Sequence, residues 1–129
     1  MTNQEIYDAA LRLASETAAL NANEDYEERA PSLIAMICHR YAALDRIYRQ
    51  VHGLERQELL NITFFPFPTL FPLSEPFISP VSTALASLLV LAENPQMSKS
   101  LADMENGMID EIRRSIPFQK EQIVSRYDL

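Results

Sequence analysis

The sequence predicts an all-α protein: a small four-helix domain with a central apolar helix, a long Pro/Phe-rich loop or arm, and a C-terminal tail. Three observations carry that prediction. Apolar residues recur at the three-and-four spacing of a helix face, best seen in Ile34, Ile37, Tyr41, Leu44, Tyr48 and Val51. Starting and stopping residues bracket the runs, with Thr2 and Glu5 ahead of the first, Gly53 after the second and Pro117 after the last. The 129 residues, 47% of them hydrophobic, suffice for one core and leave little room for a second. The expected organisation is one helical domain over 1–116, the loop or arm at 54–78 within it, and a tail at 117–129.

The first helix opens at Thr2, whose spacing to Glu5 is that of a capping box. Ile6, Ala10, Leu13, Thr17 and Leu20 form its stripe, and Asn21 to Glu24 reads as its end and a polar turn. Asp25 is the expected N-cap of the next element, with Glu27 and Glu28 in the favourable first turn. Pro31 lies too deep for an undistorted start there, which predicts a kink or a short separate turn. A long amphipathic helix follows and stops at Gly53, its outer side carrying Arg40, Asp45, Arg46, Arg49 and Gln50.

The pattern then breaks. Residues 64–80 hold Pro66, Pro68, Pro72, Pro76 and Pro80 out of eight prolines, and Phe64, Phe65, Phe67, Phe71 and Phe77 out of six phenylalanines. That proline density prohibits a helix and a central strand, leaving extended backbone with a possible edge strand near Leu59 to Phe65. So much aromatic surface also argues against plain disorder. Two readings stand: the segment covers the chain's own helical core, or it is an arm that fills a neighbour's groove. Under the second, Phe64, Phe65, Phe67, Leu70 and Phe71 are partner-binding residues, joined by Ile123 and Tyr127 of the tail.

The central helix is expected over Pro80 to Ala92, with Ser79 as N-cap and Pro80 in the first turn. Val81, Ala84, Leu85, Leu88, Leu91 and Ala92 form one stripe, and Ala86, Leu89 and Val90 close most of the circumference. A helix apolar on nearly all sides is surrounded by others, and this one is shorter than the ~17–25 residues that span a bilayer. Glu93-Asn94-Pro95 reads as a turn. The last helix runs from about Gln96 to Ile116, with Met97, Leu101, Met104, Met108, Ile109 and Ile112 inward and Gly107 as a weak point. Pro117 stops it, and Ile123, Val124 and Tyr127 are the docking residues of the tail.

The chemistry expected is mostly exclusion. A net charge of −7, with Arg113–Arg114 the nearest thing to a basic cluster, argues against tight phosphate binding. Two glycines, Gly53 and Gly107, allow no glycine-rich phosphate loop. His39 and His52 stand thirteen residues apart, on different faces of one helix, and neither falls in a metal-ligand spacing. Cys38 beside His39 points about 100° away from it and reads as a small buried hydrophobe. Glu27–Glu28 is a helix N-terminal feature, and the Met97, Met104 and Met108 set reads as core. The expectation is therefore no catalysis, no cofactor, no metal and no membrane partner. A lone cysteine and a start without a basic and apolar leader suit a chain made in a reducing cytoplasm.

The order of features resembles the head–tail connector, or adaptor, proteins of tailed bacteriophages and prophages. The matching traits run over about residues 3–115. An opening helix ends near Asp25-Tyr-x-x-Arg29-Ala-Pro31 and a long helix follows. After a loop come Phe71-Pro-Leu-Ser-x-x-Phe77-x-x-Pro80 and an Ala/Leu-rich helix ending Leu-Val-Leu-Ala-Glu-Asn94. The Phe64-Phe-Pro-Phe-Pro68 stretch is long for that plan, and Ser82 and Thr83 stand where bulkier residues are expected. The resemblance implies a non-enzymatic virion subunit that forms a ring on the portal, links capsid to tail, and lets DNA pass without specific binding. The alternative class is a small bacterial helical interaction or regulatory module acting on one partner as a monomer or dimer.

Overall fold

The computed structural model describes residues 1–14, 23–55 and 64–116. The described chain is all-α and contains four helices, α1 (Asn3–Leu13), α2 (Asn23–Val51), α3 (Ile78–Val90) and α4 (Pro95–Arg114), with no strand among the described residues. The capping box opens α1 as expected: the Thr2 hydroxyl accepts from the Glu5 amide at 3.4 Å and Glu5 Oε1 accepts from the Thr2 amide at 3.3 Å. Ile6, Tyr7 and Ala10 are buried, whereas Leu13 is exposed. Thr17 and Leu20 lie outside the described residues.

Helix α2 corrects one expectation and narrows a second. It begins at Asn23, so Asp25 is not its N-cap, and of the kink or separate turn expected at Pro31 the separate turn is absent, the helix running through the proline. Proline removes one helical donor, but Tyr26, Ala30 and Pro31 are all buried, and packing of that face holds the turn upstream of the proline. Asp25 instead forms an exposed pair with Arg29 at 2.9 Å. At the other end Gly53 takes φ +66°, and the amides of Leu54 and Gly53 bond the carbonyls of Arg49 at 2.8 Å and Gln50 at 3.4 Å. Those are the two bonds of a Schellman cap.

Asp45 corrects a third expectation, since it is buried rather than on the outer side of α2. Its Oδ2 accepts from Arg49 Nε at 2.9 Å and its Oδ1 from the Ser74 amide at 3.0 Å. Arg49 donates onward to the carbonyls of Glu55 at 3.1 Å and Pro72 at 3.3 Å. One carboxylate and one guanidinium thus fasten both ends of the Pro/Phe-rich loop to α2.

Helix α3 is central: it packs on α4, α1 and α2. It starts at Ile78, fed by a 3-10 turn over Glu75–Phe77, so Ser79 lies inside the helix and is no cap. Pro80 is the third helical residue, still among the positions whose amide has no helical acceptor. Buried positions run unbroken from Pro80 to Ser87 and resume at Leu89 and Val90, while Leu88 is half-buried and Leu91 and Ala92 are exposed. The hydroxyls within this apolar surround are satisfied locally, Ser82 donating to the Ile78 carbonyl and Thr83 to the Ser79 carbonyl, both at 2.8 Å.

Helix α4 is capped by Asn94, whose side chain accepts from the Met97 amide at 3.0 Å, with Pro95 at the first position. Its buried stripe is Ser98, Leu101, Glu105, Ile109 and Ile112. Met104, expected inward, is 46% exposed, and Met97 and Met108 are half-buried. The four-residue step from Leu101 lands on Glu105, so the geometry selects a carboxylate where hydrophobicity favours its neighbour.

Candidate functional site

The Pro/Phe segment is shaped by the opening turn of α1, whose first amides have no helical carbonyl to meet. The Asn3 amide donates to the Thr69 carbonyl and the Gln4 amide to the Phe67 carbonyl, both at 2.9 Å. Asn3 Nδ2 reaches the carbonyls of Pro66 at 3.3 Å and Thr69 at 3.2 Å and the Thr69 hydroxyl at 2.9 Å. Farther along, the Phe71 amide bonds the Met1 carbonyl at 2.9 Å, and Thr2 and Leu70 form an isolated antiparallel bridge. On the other flank the Phe65 amide bonds the Pro31 carbonyl at 3.1 Å. The segment from Phe64 to Phe71 is thereby pinned to its own chain by backbone bonds.

Pinning divides the candidate partner-binding residues. Phe65 is 7% exposed and stacks on His39 at 6.4 Å between ring centroids. Phe67 tilts against Tyr7 at 4.9 Å, and Phe67 and Phe71 are half-buried against the core. Phe64 at 51% and Leu70 at 74% exposure point away from it, and these two exposed side chains are termed the lip of the segment. Ile123 and Tyr127 lie outside the described residues, as does most of the stretch read as an edge strand. Carboxylates lie near Tyr7, the ring against which Phe67 packs. Burial pushes the Tyr7 hydroxyl up to about 12, helped by the negative charges of Glu27 and Asp8. Exposed Glu5 stands one turn from Asp8.

Among the described residues lie further clefts, two of which gather polar groups. One, of about 420 Å³ between α2 and α4, is floored by Ala43, Leu44, Ile47 and Ile109 and flanked by Arg40 and Arg113. Beneath its rim sits a buried carboxylate that hydrophobic patterning overlooks: Glu105 accepts from the Tyr41 hydroxyl and, at 3.3 Å, from Arg40. Its only sequence signal is a charged residue four positions from both Leu101 and Ile109. The other cleft, of about 600 Å³, gathers Tyr48, His52, Ser79, Met108, Glu111 and Ser115. Two serines, a histidine and a glutamate share this cleft, yet no hydrogen bond joins these groups among the described residues. The Ser115 hydroxyl donates to the Ile112 carbonyl at 2.7 Å, and the His52 ring lies against Tyr48 at 4.3 Å.

The remaining candidates are placed plainly. Cys38 is buried, and burial, aided by the Asp45 charge, pushes its thiol up to about 12, which leaves it a protonated packing group. No three metal-ligating side chains cluster among the described residues. No helix among them is long and apolar enough to cross a membrane. Comparison with family models, curated proteins and solved structures gives no match for this chain.

Proposed function

We propose that this chain is a non-catalytic structural subunit of the head–tail connector type, assembling below a portal and linking capsid to tail. The observation that carries the reading is the exposure of Phe64 and Leu70 on a segment whose backbone is hydrogen-bonded to its own chain at Phe65, Phe67, Thr69 and Phe71. Large apolar side chains held out on a fixed backbone bind a partner with little ordering cost. In this reading the partners are further copies of the chain, the portal and the tail proteins. The net charge of −7 disfavours adhesion of passing DNA. The chain is made in a bacterial cytoplasm and ends in the virion.

The test is a binding assay with an isolated portal ring, read by electron microscopy of the rings and by co-sedimentation. The wild-type chain is expected to decorate the ring, and the Phe64→Ser, Leu70→Ser double variant is expected to fold and fail to bind. A chain that ignores portal rings and engages a single other protein as a monomer or dimer belongs to the small helical interaction modules instead.

A further inference from the structure

We infer that residues 64–74 form a strap that lifts from the helices as one unit, in an opening far smaller than unfolding, with the Asp45–Arg49 pair as its latch. The device belongs to the free chain, so it stands or falls apart from the connector reading.

The seam between strap and helices is where the protein leaves buried polar groups unmatched. Among the described residues three buried side-chain atoms have no hydrogen-bond partner in the protein: Asn3 Oδ1, the Tyr7 hydroxyl and the Ser74 hydroxyl. Each belongs to the seam. Asn3 donates from Nδ2 to the Pro66 and Thr69 carbonyls, the Tyr7 ring packs on Phe67, and Ser74 ends the strap with its amide on Asp45. Buried hydroxyls of the helices are satisfied instead, Ser87 and Ser98 by each other's carbonyls and Ser82 and Thr83 within α3. An unmatched buried group opposes the closed state, and opening returns it to water. The seam therefore gives way before the helix contacts do.

The strap parts as a unit because its bonds run mainly to the body. The amides of Phe65, Phe71 and Ser74 donate to the Pro31 carbonyl, the Met1 carbonyl and the Asp45 carboxylate. The carbonyls of Phe67 and Thr69 accept from the amides of Gln4 and Asn3. Pro66, Pro68 and Pro72 fix φ at three positions, which leaves few ways to fray residue by residue. The latch is a charged tie. Asp45 holds the Ser74 amide at 3.0 Å and Arg49 Nε at 2.9 Å, and Arg49 donates to the Pro72 carbonyl at 3.3 Å. The helices keep their own contacts, since α3 packs directly on α1, α2 and α4. Opening brings Phe65 and Leu73 out of burial, so the latch sets how much apolar surface the chain presents.

Native-state amide hydrogen exchange, read by NMR in low urea, tests this on the full chain. The amides of Asn3, Gln4, Phe65, Phe71 and Ser74 should share one protection factor, about tenfold or more below that of Leu85 and Leu89 in α3. Ser87→Ala, a change in the α3–α4 contact, should lower the α3 protection and leave the strap group where it was. Asp45→Asn should lower the strap group about tenfold, and Arg49→Gln takes its place if that variant does not fold. Ser74→Ala and Tyr7→Phe remove unmatched hydroxyls and should raise the strap group about fivefold. Strap amides that exchange together with Leu85 and Leu89, or each at a separate protection factor, overturn the unit. Indifference to loss of the latch charge overturns the latch. A fall in protection in either hydroxyl variant overturns the unmatched seam as the cause.

Discussion

Ser87 and Ser98 clasp α3 to α4 reciprocally: each hydroxyl donates to the other residue's carbonyl at 2.8 Å, and the two oxygens lie 3.0 Å apart. Both residues are buried, so the clasp demands small side chains at a close helix crossing. Ser87→Ala and Ser98→Ala should each cost about 1 kcal/mol, with a non-additive double variant. Ser87→Leu should cost about 1–3 kcal/mol by overpacking. Urea midpoints of the four variants against the wild type decide it. If the leucine variant is as stable as the wild type, the crossing is looser than this pair requires.

Core truncations along α3 should follow its burial and not its hydrophobic stripe. Leu85 is fully buried and Leu89 nearly so, whereas Leu88 is half-buried. Leu85→Ala should cost about 2–5 kcal/mol and Leu88→Ala distinctly less. Chemical denaturation at constant slope checks the order, and a larger loss at Leu88 would mean the helix is rotated from the position described.

The two glycines should respond oppositely to alanine. Gly107 lies inside α4, and a Cβ there meets nothing within 4 Å, so Gly107→Ala should stabilise by about 1 kcal/mol. Gly53 sits at φ +66° in the cap of α2, where Gly53→Ala should destabilise by about 1 kcal/mol although the space is open. Thermal midpoints should move up for the first and down for the second.

Alkaline pH should unfold the protein through its buried acids. Burial is the main cause that pushes Tyr7, Tyr26 and Tyr41 from 10.0 to about 12, with the Glu93 and Glu105 carboxylates adding to it at Tyr26 and Tyr41. Cys38 is pushed from 9.0 to about 12. The folded chain holds these protons more tightly than the unfolded one. Their contribution is therefore complete below pH 9 and is lost as pH rises toward 12. The urea midpoint should fall across that window, with tyrosinate absorbance rising together with unfolding. Tyr26→Phe should flatten the fall, and a flat wild-type profile would contradict the assignment.

The parts of this fold legible in the sequence are those set by local chemistry. The Thr2–Glu5 box, the Gly53 stop and the Ile34–Ile37–Tyr41 stripe depend on residues within a few positions of one another, and each stands where its spacing places it. What was not legible depends on distant partners. Asp45 looks like a surface charge until the Ser74 amide arrives from 29 residues away. Glu105 looks outward until the Tyr41 hydroxyl meets it. The candidate site divides in the same way: its aromatic composition marks the segment, but only the bonds from Asn3 and Pro31 decide that Phe65 turns in while Phe64 and Leu70 turn out.

The bond between the Phe71 amide and the Met1 carbonyl carries a practical consequence for handling the protein. Any residues fused ahead of Met1 emerge beside Leu70, the most exposed large apolar side chain among the described residues. An affinity tag at that end would shield the lip while leaving the helices undisturbed. Such a preparation would show a sound helical spectrum and normal melting with Leu70 covered, and a binding assay run on it would not test that side chain.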